Sequence, residues 1–126
     1  MALLALDLGA KRTGVAVSSS GTLVTPIGTI ESTPRSAFTT KLQQIIKETG
    51  VTTIVVGEAG LSSFGAAPGE VQIKLSQIFK LPVIVTEEHE TTKQARAATG
   101  RHDHADTEAA CQILERYIEE HDGQAN

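Results

Sequence analysis

The sequence has few aromatic residues and no sign of export or membrane insertion. Its 126 residues include no Trp, one Tyr and three Phe, although 40% of the chain is hydrophobic. No stretch approaches the roughly 20 apolar residues that span a bilayer, and the N-terminus lacks the features of a secretory signal. The single cysteine, Cys111, cannot form an internal disulfide, and its helical setting favours a buried thiol over a nucleophile. These absences predict a cytoplasmic protein with no membrane partner.

Basic residues are also scarce. Eleven Lys and Arg stand against fifteen Asp and Glu, which gives a net charge of −4. Phosphate binding usually requires a basic face, so this charge argues against a protein that holds nucleic acid by bulk electrostatics. The objection weakens if several acids converge on a divalent metal, which reverses the sign of the local field.

Short runs of Val, Ile and Leu predict buried strands alternating with helices. The predicted strands are 2–8, 13–19, 23–31, 51–57 and 82–87, and the predicted helices are 34–49, 71–79, 91–99 and 105–120. A hydroxyl of the Ser32-Thr33 pair is expected to cap the first helix, with Pro34 at its first position. The Gly-rich segment 57–70 is expected to be a loop.

The order βββαβαβαα predicts an α/β fold of ribonuclease-H-like type. Its mixed five-stranded sheet would carry helices on both faces. One domain is expected over 1–121, with a flexible tail over 122–126.

Acidic residues follow several predicted strands at one edge of this sheet. Asp7 ends the first strand, Glu58 follows the fourth, and Glu88 ends the fifth, while Asp103 and Asp106 begin the last helix at i,i+3 spacing. Ligands of such sheets bind beyond the carboxyl ends of parallel strands. Clustered carboxylates repel one another without a cation, but they suit Mg²⁺ or Mn²⁺, and two such ions can promote phosphodiester hydrolysis.

Each of these acids also has a purely structural explanation. Asp7 could satisfy a turn, Glu88 could be a solvated strand end, and Asp103 and Asp106 could be acids favoured by the helix dipole. The convergence of all of them on one edge favours the metal site.

Three other residues have two interpretations each. His104 could contact a phosphate or lie solvated in a loop, and Arg101 could face phosphate or the solvent. Phe64 could stack on a base or anchor its loop to the core.

Four segments resemble the YqgF family, nucleases of ribosomal RNA precursor processing related to the RuvC Holliday-junction resolvases. The segments are DLGAKRTGVAVS (7–18), TIVVGEAG (53–60), VTEEHETTKQA (85–95) and HADTEAACQILERYI (104–118). The resemblance implies that Asp7, Glu88 and Asp106 are metal ligands. It also implies that Lys11 and Arg12 meet the substrate phosphate.

The chain departs from the family pattern near the expected ligands. His89 stands where the family has Arg, and Glu58 lies where RuvC-type enzymes carry a metal-binding acid. Asp103 with Asp106 likewise resembles the paired aspartates of RuvC. Glu58 and Asp103 are therefore further candidate ligands, and either Glu58 or Glu88 could be the third.

The leading hypothesis is a metal-dependent nuclease with two Mg²⁺ or Mn²⁺ ions. Family resemblance favours RNA over DNA, 5′-end processing of ribosomal RNA precursors, and ribosomal precursor particles as partners. One alternative is a Holliday-junction resolvase, which requires a homodimer that presents two active sites to branched DNA. The other is a non-catalytic nucleic-acid or ribosome-associated module.

Overall fold

Five short aliphatic strands form the centre of the molecule. The computed structural model describes residues 2–64, 67–86 and 102–122. The strands are β1 (Leu3–Asp7), β2 (Arg12–Ser18), β3 (Thr25–Glu31), β4 (Thr53–Gly57) and β5 (Val83–Thr86). The helices are α1 (Arg35–Thr49), a 3₁₀ helix (Glu58–Gly60), α2 (Leu61–Phe64), α3 (Pro68–Phe79) and α4 (His102–Asp122). The helix predicted over 91–99 and tail residues 123–126 lie outside the described residues.

The strands form one mixed sheet in the order β3-β2-β1-β4-β5. β1, β2 and β3 pair antiparallel, whereas β4 and β5 run parallel to β1. The carboxyl ends of β1, β4 and β5 therefore meet along one side of the sheet, called here the carboxyl edge and defined by Asp7, Gly57 and Thr86. The predicted α/β class and mixed five-stranded sheet are confirmed.

Alternate residues of β1 are buried on opposite faces of the sheet. One face contacts α1, α2 and α3, and the opposite face, called here the α4 face, packs against α4. Leu4, Leu6 and Leu8 belong to the first core cluster together with Phe38, Leu42, Leu61, Val71 and Leu75. Leu3 and Ala5 belong to the second, together with Ala16, Val55, Ala110, Ile113, Leu114 and Tyr117. Burial on both sides explains why the strand is apolar at every position from Leu3 to Leu6.

Helix α4 packs closely on the sheet because the contact contains small residues. Ala5, Ala16 and Ala110 are completely buried where the helix meets the strands. The apolar spacing of α4 predicts an inward stripe of Ala109, Ala110, Ile113, Leu114, Tyr117 and Ile118. All six are buried except Ile118, which is only half-buried. Within the described part of the chain, no helix has the length and apolarity needed to cross a membrane.

The segment 57–70 is not the loop that its composition predicted. Gly57 ends β4, residues 58–64 form the 3₁₀ helix and α2, and residues 68–70 form the first turn of α3. Leu61 explains the difference, because its side chain is 1% exposed and joins the core beneath the sheet. Pro68 then occupies the first turn of α3, where its missing N–H costs nothing. The apolar spacing of Val71, Leu75, Ile78 and Phe79 predicts the inward face of α3, and this prediction is wrong at Ile78, which is 43% exposed.

The predicted hydroxyl cap of α1 is also wrong. The helix begins at Arg35, Pro34 occupies the N-cap, and no side chain caps it. Ser32 instead turns inward, where its Oγ lies 2.8 Å from Oγ1 of Thr13 in a buried hydrogen bond. Its backbone N–H donates to the Lys11 carbonyl at 2.8 Å. The start of α1 is thus joined to the turn between β1 and β2.

Pro26 and Gly28 predict that the third strand lies at an edge or carries a bulge, and β3 does lie at the edge of the sheet. Its register with β2 shifts between Val15 and Ala16, and Gly28 has a φ of 129°, a conformation that favours glycine.

We expect Thr13→Val to lower the free energy of unfolding by about 1–3 kcal/mol. The substitution leaves the buried Ser32 hydroxyl without its partner. Urea denaturation followed by circular dichroism measures the change. Adding Ser32→Ala should recover part of the loss. The matched control is Thr22→Val, which removes an exposed hydroxyl pair with Ser20 and should change stability by less than about 0.5 kcal/mol.

Candidate active site at the carboxyl edge of the sheet

Asp7 is a charged side chain in an otherwise apolar strand. It ends β1 at the middle of the sheet and is 2% exposed. The alternation along β1 places it on the α4 face with Leu3 and Ala5. An ionised carboxylate buried to this degree requires compensation by hydrogen bonds or a cation.

Glycines flank Asp7 on both sides. Asp7 pairs with Gly14 of β2, and Gly57 of β4 is one residue beyond the Leu6–Val56 pair. Alternation puts both glycines on the α4 face, because Ala16 and Val55 pack against α4. No side chain therefore stands directly beside the carboxylate on either neighbouring strand. At these two positions the neighbouring strands therefore contribute backbone only, which suits a small ligand such as a metal ion.

The 3₁₀ helix places Glu58 at this edge, immediately after Gly57. The side chain of Glu58 is exposed. Gly60, two residues later, lies so close to the end of β1 that an added Cβ would overlap the Leu8 carbonyl oxygen. This close backbone contact fixes the 3₁₀ helix against the end of β1, so Glu58 lies at the same edge of the sheet as Asp7.

The turn between β1 and β2 presents two cations at the same edge. Lys11 is exposed, and Arg12 is half-buried as the first residue of β2. Arg12 shares the α4 face with Gly14, since the two are separated by two positions along the strand. Gly9 allows the turn to close, because an added Cβ there would overlap the Arg12 carbonyl oxygen.

The remaining predicted site residues are described less fully. Glu88 and Arg101 lie outside the described residues. Asp103, His104 and Asp106 belong to the first turns of α4, and their side chains are not described. The structure thus places Asp7, Glu58, Lys11 and Arg12 along the same edge of the sheet. Over 2–64, 67–86 and 107–121, no three His, Cys, Asp or Glu side chains form a group that could hold a metal ion.

Comparison with known proteins identifies the family of the chain. Residues 1–120 match the family model of RuvX, described as Holliday junction resolvase. The chain belongs to the RuvX family. This membership confirms the recognition made from the sequence motifs and the nuclease class of enzyme, because RuvX and YqgF denote the same family.

Curated relatives carry the name "Putative pre-16S rRNA nuclease". The protein of Bordetella petrii is 29% identical over 123 residues, covering 93% of this chain and 94% of the relative. The protein of Chlamydia trachomatis serovar D is 36% identical over 104 residues, covering 75% of this chain and 69% of the relative.

Solved resolvases share the fold of this RuvX-family protein. RuvC of Thermus thermophilus superposes with a TM-score of 0.58 at 13% identity, covering 98% of this chain and 97% of that chain. The Fowlpox virus resolvase, solved with Holliday junction DNA, gives a TM-score of 0.59 at 11% identity, with coverages of 95% and 98%. These likenesses confirm the ribonuclease-H-like architecture.

Phe64 anchors its segment. Its ring lies 5.4 Å from that of Phe38 and packs against the core, and the guanidinium of Arg35 lies 3.6 Å above it. Of the two interpretations of Phe64, the structure supports the anchor.

Cys111 has the properties of a structural thiol. It is half-buried against the α4-face core. Burial raises the pKa of the thiol, and the nearby carboxylates of Glu115 and Glu108 raise it further. Little thiolate is present at neutral pH, which fits the absence of a nucleophilic role.

The glycines beside Asp7 and the close contact of Gly60 were missed by the sequence analysis. Gly14 and Gly57 are separated by more than forty positions and become neighbours of Asp7 only through strand pairing. The sequence did contain a signal for these two glycines. Each lies at the carboxyl-edge end of a predicted strand, where glycine weakens the strand and no turn explains its presence.

We expect Gly60→Ala to destabilise this RuvX-family protein by about 1–3 kcal/mol and to reduce cleavage of nucleic acid. The added methyl must displace either the 3₁₀ helix or the end of β1, because the Leu8 carbonyl is backbone and cannot move aside. Urea denaturation and initial rates measure the two effects.

Gly69→Ala is the matched control, because nothing lies within 4 Å of the added Cβ. It lies in α3, so the substitution should keep activity and stabilise the protein by about 0.5–1 kcal/mol. Equal stability and activity of Gly60→Ala and wild type would contradict the fixed contact.

Proposed function

We propose that this RuvX-family nuclease hydrolyses phosphodiester bonds of RNA with the help of Mg²⁺ or Mn²⁺, in 5′-end processing of ribosomal RNA precursors. The observation that carries the proposal is Asp7, a carboxylate buried at the end of the central strand and flanked by two glycines. Such a position combines a hard oxygen ligand with neighbouring strands that carry no side chain beside it.

The donor set fits divalent metal ions. Asp7, Glu88 and Asp106 would hold them, with Glu58 and Asp103 as further ligands, and all five offer the carboxylate oxygens that Mg²⁺ and Mn²⁺ prefer. When bound, one or two such ions would activate the attacking water and offset charge on the reacting phosphate. Position 106 lies one helical turn before Ala110, which is completely buried against the sheet. This spacing supports the assignment of Asp106 to the same site.

Residues of the chain orient the substrate around Asp7. Arg12 lies on the α4 face, two positions from the glycine that pairs with Asp7, so it can donate to a phosphate oxygen there. Lys11 adds a second cation at the exposed tip of the turn. Gly14 and Gly57 place no side chain directly beside the carboxylate. Arg101 and His104 remain proposed substrate contacts.

RNA is favoured as the substrate by the names of the curated relatives, which refer to pre-16S ribosomal RNA. The same function implies ribosomal precursor particles as partners, a cytoplasmic location, and a single nuclease domain over 1–121.

A second candidate function is resolution of Holliday junctions. The description of the matching family model and the fold shared with two resolvases favour it. It requires a homodimer, so a monomer at working concentration would count against it.

We expect Asp7→Asn to lower metal-dependent cleavage by at least about a hundredfold, more than the usual cost of losing a residue that only supports a metal ligand. End-labelled single-stranded RNA, single-stranded DNA and a four-way DNA junction should each be incubated with Mn²⁺, Mg²⁺ or EDTA. The preferred substrate separates the two candidate functions.

Glu31→Gln is the matched control, since it removes an exposed acid at the end of β3, across from Arg12 in the sheet register. Glu31→Gln should keep the cleavage rate within about twofold of wild type. Thermal unfolding with and without Mn²⁺ should show that the metal stabilises the wild-type protein and that Asp7→Asn reduces this stabilisation. Full cleavage by Asp7→Asn would refute the mechanism. Absence of cleavage by folded wild type, without stabilisation by Mn²⁺, would favour the non-catalytic module.

A further inference from the structure

A cleft with apolar walls lies at the carboxyl edge on the face opposite Asp7. It has a volume of about 310 Å³, enough for one nucleobase. The first turns of α1, the end of α2 and the middle of α3 form it. Its lining consists of Arg35, Phe38, Thr39, Phe64, Val71, Lys74, Leu75 and Ile78.

The topology places this cleft close to the candidate active site. β3 ends at Glu31, which pairs with Arg12 at the carboxyl edge, so α1 begins at this edge. α2 follows the 3₁₀ helix that contacts the end of β1 through Gly60. A single strand of nucleic acid that crosses the carboxyl edge from Asp7 would therefore reach the cleft on the other face of the sheet.

Arg35 forms a fixed, planar and positively charged wall of this cleft. Its guanidinium lies 3.6 Å above the Phe64 ring, donates to the Phe64 carbonyl at 2.6 Å, and donates also to the Ser32 carbonyl. These contacts hold the group in one orientation, yet the residue remains exposed. Bases of single-stranded RNA stack on aromatic rings and on guanidinium planes of this kind.

Lys74 supplies a second cation at the mouth of the cleft. It is exposed, and among the described side chains no carboxylate forms an ion pair with Lys74 or Arg35. Glu70, one helical turn before Lys74, is an acid on the same helix. An apolar cleft bordered by two cations complements a base attached to a phosphate better than it does an uncharged apolar ligand.

We propose that this cleft binds a nucleobase from the unpaired part of the nucleic-acid substrate, stacked on Arg35 with its phosphate near Lys74. The inference rests on the proposed nuclease function and extends it, because it assigns a site for substrate bases away from the scissile phosphate. It explains how an acidic protein can hold a single strand: affinity comes from stacking and two placed cations rather than from a broad basic face.

The test measures binding of fluorescein-labelled single-stranded RNA of about ten nucleotides by fluorescence anisotropy. Asp7→Asn protein is used so that the RNA stays intact. In this background Arg35→Lys keeps the charge but removes the plane, and should raise Kd at least about fivefold. Lys74→Ala should raise Kd. It should also lower the slope of log Kd against log salt concentration by about 1, the loss expected for one phosphate contact.

Lys41→Ala is the matched control, an exposed lysine on α1 that does not line the cleft. It should change Kd by less than about twofold. A series of RNAs, each lacking a single base at a different position, completes the test. Removal of the base that enters the cleft should weaken binding to the Asp7→Asn protein but add no further loss in Arg35→Lys. Thermal unfolding checks that Arg35→Lys remains folded, and Lys74→Ala tests the cleft independently because its side chain is exposed.

The result distinguishes this inference from the proposed function. Arg35→Lys and Lys74→Ala are also made separately in protein that retains Asp7. If both variants cleave RNA with the KM of wild type, the cleft is overturned and the nuclease function is left intact. Base-dependent binding that both substitutions weaken, without cleavage by wild type, would support the cleft and reject the nuclease function. If Lys41→Ala and Lys74→Ala raise Kd equally, the binding is due to general electrostatics and the inference is overturned.

Discussion

The burial of the Asp7 carboxylate at the end of the central strand constrains the whole carboxyl edge. An ion-sized charge removed from water costs several kcal/mol unless hydrogen bonds or a cation compensate it. The side chain is 2% exposed, and its strand is covered by core on both faces. The neighbouring strands place no side chain directly beside this group, because Gly14 and Gly57 lie in register on either side. A buried carboxylate between two glycines defines a candidate ligand site better than acidity alone.

Rigidity at this edge comes from contacts between elements that are distant in sequence. Gly60 packs its backbone on the carbonyl of Leu8, and the Thr13–Ser32 hydroxyl pair joins β2 to the start of α1. Arg35 then connects α1 to the end of α2 through the Phe64 carbonyl. Each contact involves a backbone carbonyl or a buried hydroxyl, so each is broken when one of the two groups in contact moves. The elements that carry Glu58, Lys11 and the proposed base cleft are thereby held in one arrangement relative to Asp7.

Local patterns were predictable from the sequence, whereas features made by pairing were not. The buried strands β1 and β4 are continuous apolar runs, and the stripe of α4 repeats at about 3.6 residues, so local sequence identified them. Asp7 was recognisable as an acid at the end of such a run. α2 has four residues, too few to show a period, and its anchor Leu61 is defined only by the core it enters. The inward turn of Ser32 depends on Thr13, which is nineteen positions away.

The net charge of −4 argued against nucleic-acid binding, but the distribution of charge changes that argument. Lys11, Arg12, Arg35 and Lys74 lie on elements that meet at or beside the carboxyl edge, whereas Glu115, Glu119 and Glu120 belong to the second half of α4. Helix α4 has 21 residues, so its ends are about 30 Å apart. At physiological ionic strength the screening length is about 8 Å, which isolates the acids at one end from a phosphate bound at a distant point. A nucleic-acid strand at the edge therefore experiences the charges placed there, which are these cations, the acids Glu31 and Glu58 and any bound metal, far more strongly than the distant acids of α4.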